Sequence, residues 1–292
     1  MTDLLPNQYE IGGVVFGDHT PIQSDDIRIG PVESRTNDRD NPASDGTRMG
    51  RDYRGGRVIG LDLWSDVHTA AEIGPAWAAL EAAWDADVER ATPGAVVPFR
   101  FRLEGSSTAV VYGRGRRWTP ATQRQRGTGL TDVVADFQTV DRLFYSDVER
   151  QVTLTLVASG GGGITWPVTW PITWAPGGAR QDGLINAGNA PTWPVITVTG
   201  PVAQPSVELV GTGRSLRLDT TVGANQSVVI DTRPWARSIR RSDGANLRRA
   251  AIGVSLSDFR LPVGQTILRY SGTDMSGQSS CTITWRDATK SP

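Results

Sequence analysis

Apolar residues fall at every second position through most of this chain. In Pro98-Phe-Arg-Phe-Arg-Leu-Glu-Gly105, the residues Phe99, Phe101 and Leu103 share one face while Arg100, Arg102 and Glu104 share the other, the alternation of a half-buried strand. The run Glu149-Arg-Gln-Val-Thr-Leu-Thr-Leu-Val157 repeats it with Val152, Leu154 and Leu156 inward. Further strands are predicted at Val58–Trp64, Thr108–Tyr112 and Val133–Thr139. The second half adds Val195–Thr199, Val207–Val210, Leu216–Asp219, Ser227–Asp231, Thr266–Tyr270 and Cys281–Trp285. Short strands set apart by Gly-, Pro- and Asn-rich turns predict a mainly β protein of sandwiches or barrels.

One stretch has a helical period instead. From Thr69 to Glu89, Ile73, Trp77, Leu80, Trp84 and Val88 recur at spacings of 4, 3, 4 and 4, which places all five on one stripe of the first half's only long helix. Gly74-Pro75 near its start sets the expected beginning of the regular helix at Pro75.

Two segments fit neither period. Residues 30–56 are dense in Arg, Asp, Asn and Gly, with Val32, Met49 and Tyr53 as their large apolar side chains. A loop of that length in a compact domain is functional or disordered, and it is expected to be an arm that orders against a neighbouring subunit. After Gly160–Gly163, the residues Ile164, Trp166, Val168, Trp170, Ile172 and Trp174 alternate with Thr165, Pro167, Thr169, Pro171 and Thr173. Prolines at that period forbid a helix, leaving an extended strap with one apolar face. Packing along a domain, a sugar-stacking platform and a subunit contact would each cover it.

A length of 292 residues allows two domains with cores of their own. Their expected bounds are 1–158 and 186–292, joined by the strap 159–185. The total charge of −1 conceals a division, since residues 1–158 hold 17 basic and 23 acidic side chains and residues 186–292 hold 12 and 7. Opposite signs of this kind point to different partners for the two domains or to a mutual electrostatic preference between them, and plain drift would produce them too. All basic residues but Lys290 are arginine, which reads first as a coding bias toward GC-rich codons, although the planar arginine head also suits protein interfaces.

Candidate chemistry is sparse. Cys281 is the single cysteine, and His19 and His68 are the two histidines, too few for a zinc site. No phosphate-binding Gly-rich motif ending in Lys, no His-Glu-x-x-His and no Gly-x-Ser-x-Gly elbow occurs, so neither catalytic residues, metal ligands nor a cofactor site are expected. A pair of carboxylates from distant strands would still suffice for glycoside hydrolysis. The segment Met1–Glu10 lacks the charged and apolar regions of a secretion signal, and no apolar run reaches a membrane span. A soluble, unsecreted protein is the expectation.

Basic clusters occur at Arg114, Arg116, Arg117, Arg124 and Arg126 around Trp118, and at Arg240, Arg241, Arg248 and Arg249. The first sits in an acidic domain, which argues for a solvated or intersubunit loop over a nucleic-acid footprint. Together with Arg35, Arg39, Arg48, Arg51 and Arg54 of the arm, Arg114, Arg116 and Arg117 are the candidate subunit-interface residues. Trp166, Trp170 and Trp174 mark the strap. Trp170 and Trp235 are the candidate glycan contacts.

The order of these pieces resembles the distal tail proteins of siphovirus-type bacteriophages. Val14-Val15-Phe16-Gly17, a polar loop with Ser44-Asp45-Gly46, the strand Val58–Trp64, a single helix and a hairpin follow the family's ring-forming domain. So does Val140-Asp141-Arg142-Leu143-Phe144-Tyr145-Ser146, although Arg142 stands where the family has Pro. Asn186 to Pro191, Pro194 to Gly200, Pro205 to Leu209 and Ser227 to Thr232 resemble the family's C-terminal galectin-like β-sandwich. The resemblance implies a β-barrel-like ring domain followed by that sandwich, in a non-enzymatic virion protein assembled in the host cytoplasm. It further implies a closed, usually hexameric ring at the tail tip. That ring joins the tail tube protein to tip, baseplate or receptor-binding proteins around a channel through which DNA passes, with no membrane insertion. The alternatives are a carbohydrate-binding host-adsorption module and a carboxylate-pair glycosidase.

Overall fold

The computed structural model describes residues 3–65, 70–120, 131–156, 180–274 and 276–292. The chain divides into two compact units, Met1–Asp147 with Thr289–Pro292, and Val148–Ala288. With these bounds the charges become −5 (17 basic, 22 acidic) and +4 (13 basic, 9 acidic). The compact units divide at Asp147/Val148, where the sequence expectation set the domain boundary at residue 158.

In the first unit the strands are β1 (Gln8–Ile11), β2 (Val14–Gly17), β3 (Gln23–Ile29), the two-residue strands β4 (Ser34–Arg35), β5 (Arg39–Asp40), β6 (Thr47–Arg48) and β7 (Tyr53–Arg54), and β8 (Val58–Ser65). Helices α1 (Ala70–Asp85) and α2 (Asp87–Ala91) follow, then β9 (Val97–Arg102), β10 (Ala109–Pro120), β11 (Thr131–Thr139) and the start of β12 (Phe144–Thr155). Hydrogen-bonded neighbours run β2-β1-β9-β10-β11-β8-β3. The backbone N–H of Gly17 donates to the Ile22 carbonyl at 2.8 Å, turning β2 back toward β3. The enclosed core is aromatic: Tyr9, Phe16, Phe99, Phe101, Phe137, Phe144 and Trp84 are all buried.

Helix α1 closes that core with Leu80 and Trp84, both buried, at about 1.5–3 kcal/mol of apolar burial for a side chain of this class. Gly115 makes the fit possible, because a Cβ there would lie 2.5 Å from the Trp84 ring. The helix starts at Ala70, five residues before the expected Pro75, which lies within it. It stops where Ala86 turns left-handed, at φ 44°. The stripe therefore breaks: Val88, on α2, is 76% exposed.

The polar face of β9 also departs from simple alternation. Arg100 is buried together with Phe99 and Phe101. Its guanidinium donates from Nε and Nη2 to the Asp147 carboxylate at 2.8 and 2.6 Å, and pairs with Glu10. Adjacent strands pay for that burial: Glu10 faces Arg100 across the β1–β9 ladder.

The second unit contains the end of β12 and β13 (Arg180–Asn186), β14 (Val195–Thr199), β15 (Val202–Leu209), β16 (Arg214–Leu218), β17 (Thr221–Val222), β18 (Ser227–Asp231), β19 (Ser238–Arg241), β20 (Ala251–Gly253), β21 (Gly264–Thr273) and β22 (Ser280–Thr289). One antiparallel sheet runs β19-β18-β14-β22-β12, the other β13-β21-β15-β16-β20 with β17 on β15. Alternate residues of both, among them Ile196, Ile230, Ile283, Trp285, Leu209 and Tyr270, form one core, the layering of a β-sandwich. Leu154 of β12 and Leu156 just beyond its end are buried in it. Residues 180–185, expected in the linker, are an edge strand of this sandwich.

Candidate functional site

The polar segment 30–56 is a hairpin arm. Ser34 and Arg35 of β4 pair with Arg54 and Tyr53 of β7, and Arg39 and Asp40 of β5 pair with Arg48 and Thr47 of β6. Asn41 N–H donates to the Gly46 carbonyl at 3.0 Å to close the tip, where Gly46 has the positive φ of 106° that a glycine adopts without strain. Every residue from 33 to 54 is exposed. The arm therefore pairs with itself, where the sequence pointed to ordering against a neighbouring subunit.

Its charges are not used alike. The arm holds five arginines and five acids, yet Asp38 accepts from the Gly50 N–H at 2.7 Å and Asp40 from the Thr47 hydroxyl at 3.2 Å. Among the described residues, none of Arg35, Arg39, Arg48, Arg51 and Arg54 is ion-paired. Arg51 lies over the Tyr53 ring, 5.2 Å from its centroid. Arg39, Arg48 and Arg51 line a cavity of about 330 Å³ with Asn37, Met49 and Gly50. The hairpin thus spends carboxylates on holding its own shape and presents guanidinium heads to solvent.

The second arginine cluster separates into different roles. Arg114 reaches back to the segment after α2, donating to the carbonyls of Ala95 and Thr92 at 2.8 Å each and of Arg90 at 3.4 Å. It positions α2. Arg90 in turn donates to the Asp85 carbonyl at the end of α1, satisfying a helix terminus. The β10–β11 register shifts between Gly115 and Arg117, and this bulge turns Arg116 and Arg117 outward, both exposed. The Arg117 carbonyl accepts from the Trp84 indole at 3.1 Å. Arg124 and Arg126, like the strap residues Trp166, Trp170 and Trp174, lie outside the described residues.

The motif around Asp141 is a lock at the entrance to β12. Its carboxylate accepts from the Tyr145 hydroxyl at 2.5 Å and the Leu143 N–H at 3.1 Å. Arg57 crosses over the Phe144 ring and donates to the Arg142 carbonyl at 2.7 Å. Burial pushes the Asp141 carboxyl above its ordinary value of 3.8, against the lowering effect of those bonds. The folded chain therefore holds this proton more tightly than the unfolded chain does. Its contribution favours folding fully below 3.8 and is lost as pH rises through the raised value. D141N should remove that dependence: the stability of wild type relative to D141N, from urea titrations between about pH 3 and 7, should fall with rising pH. A difference that is flat with pH would contradict it.

In the second unit, Trp235 is half-buried beneath Arg233, whose guanidinium lies 5.6 Å from the ring centroid. Trp193 donates to the Ser257 carbonyl and Trp285 to that of Ile185. Arg240, Arg248 and Arg249 are exposed, whereas Arg241 pairs with Asp243 at 2.7 Å. Cys281 is buried, its thiol pushed up to about 12 by desolvation. The sequence reading missed Arg100 and the positioning role of Arg114. A basic residue flanked by two buried phenylalanines was the available signal for the former.

Residues 187–288 match the family described as siphovirus-type tail component, C-terminal domain. The structure is similar to the crystal structure of the Dit protein of phage SPP1, described as a paradigm of the hub adsorption apparatus in phages infecting Gram-positive bacteria. The TM-score is 0.58 at 14% identity, over 96% of this chain and 98% of that one. It is also similar to chains of the phage p2 baseplate in its activated conformation with strontium (TM-score 0.54) and with calcium (0.51). Each is 11% identical, over 95% of this chain and 97% of the other. No curated protein matches the sequence. Residues 187–288 thus resemble the C-terminal domain of siphovirus-type tail components, and the chain has along nearly its whole length the fold of the SPP1 Dit protein.

Proposed function

We propose that this chain is a structural ring protein of the tail tip. Copies close head-to-tail into a hexamer through their first units, around a channel that passes DNA. The ring connects the tail tube protein to tip, baseplate or receptor-binding proteins. It is assembled in the host cytoplasm and carries out no catalysis. The observation that carries this reading is the solvent-exposed arm, whose arginines have no ion-pair partner among the described residues, on an otherwise acidic unit, because a ring needs complementary patches on a single subunit. The matched tail component domain supports it. The second unit, at +4, offers Arg240, Arg248 and Arg249 to an acidic protein partner.

Light scattering coupled to size exclusion tests the ring. The expected result is a species near six times the 31.5 kDa chain mass, seen as closed rings by negative-stain microscopy. A monomer at high concentration with no rings on the grid would overturn it.

A further inference from the structure

Two exposed apolar side chains of the first unit sit in opposite charge surroundings. Met49 is 78% exposed and lies beside Arg39, Arg48 and Arg51 around the arm cavity. Val88 is 76% exposed between Asp87 and Glu89 on α2. Among the described residues, neither those arginines nor Asp87 and Glu89 have an ion-pair partner.

From this we propose that the arm tip of one copy docks on α2 of the next, with Met49 against Val88 and the arginines against Asp87 and Glu89. The inference rests on the ring reading and names its contact. Arg39 and Arg48 stand directly opposite each other in the β5–β6 ladder, and like charges in that position destabilise a hairpin. A carboxylate set between them relieves the repulsion. A second copy is the occupant that fits. Outside the arm, the first unit holds 12 basic and 17 acidic residues, so the copies themselves supply the complementary charge. Each copy carries one patch of each kind, which makes the contact heterologous. The receiving patch is held in place from below, because Arg114 bonds three carbonyls of the segment following Glu89.

Cysteine linking in the full chain tests the contact. The buried Cys281, with its raised thiol, stays out of the reaction. M49C/V88C under mild oxidation should give a ladder of disulfide-linked oligomers on a non-reducing gel, since the two Cβ atoms must approach to about 3.5–4.5 Å. M49C alone and V88C alone should give none of it. Independently, R39E/R48E should weaken assembly at least about tenfold, and adding D87R/E89R should restore it. If the wild-type chain forms rings, yet the double cysteine variant stays unlinked and R39E/R48E assembles normally, this contact is wrong while the ring stands. A wild-type chain that remains monomeric overturns both.

Discussion

Replacing Arg100 with methionine should lower the stability of the first unit by about 3–5 kcal/mol, the cost of breaking a buried ion pair by removing one partner. Arg100 is 4% exposed at its side chain and serves two carboxylates, Glu10 and Asp147. Its bonds to Asp147 hold the guanidinium's pKa above the ordinary arginine value. Methionine fills much of the same space, so the loss comes from two carboxylates left poorly solvated with no cation. The full network replacement E10Q/R100M/D147N should recover most of the loss, because it removes the uncompensated charge as well. Hydrogen exchange of the β9 and β10 amides in the full chain reads the first unit separately from the second. A change below about 1.5 kcal/mol in R100M would show that the carboxylates are rescued by solvent.

Trp84→Ala should cost a similar amount, about 3–5 kcal/mol. The indole is buried against Phe99, Phe137 and Trp118, with ring centroids 5.8–6.3 Å away. Truncation leaves a cavity that the surrounding strands cannot fill, since the β10 backbone at Gly115 already lies against the ring. It also leaves the Arg117 carbonyl without its indole donor. Trp84→Phe keeps much of the packing and should lose less than half as much. The same amide-exchange measurement should show α1 opening more readily in W84A than the distal β1–β2 hairpin. Equal protection of α1 in wild type and W84A would mean that Leu80 and the helix backbone suffice to hold it.

Much of the architecture was legible because period-two alternation is a local property. Val195–Thr199 and Ser227–Asp231 are strands at the residues expected, and Val152, Leu154 and Leu156 do face a core. The helix was legible for the same reason, over Trp77, Leu80 and Trp84. It failed at Val88, because one left-handed residue at Ala86 rotates everything after it and nothing in the periodicity marks that turn. The tail component resemblance was legible from the order of short motifs, and the matched domain at 187–288 agrees with it.

The candidate surfaces were legible only in part. Composition located the arm and its arginines, but the division of labour within it depends on hydrogen bonds from Gly50 and Thr47 to Asp38 and Asp40. Nothing in a run of residues tells an acid that faces its own backbone from one that faces solvent.

What the sequence by itself determined is the β-rich character, the strand faces, the polar arm, the opposite charges of the two halves and the family likeness. The strand faces follow from residue types at fixed spacings, the arm and the charge division from composition, and the likeness from the order of short motifs along the chain. Only the tertiary structure decided which arginine is buried, where the units divide and what Arg114 holds. Arg100 lies inside because Glu10 and Asp147, far away in the chain, meet it there. The boundary falls within β12 because a strand belongs to whichever core receives its side chains. Pairing between distant segments sets the free energy of a buried charge, and alternation along a single strand carries no record of that pairing.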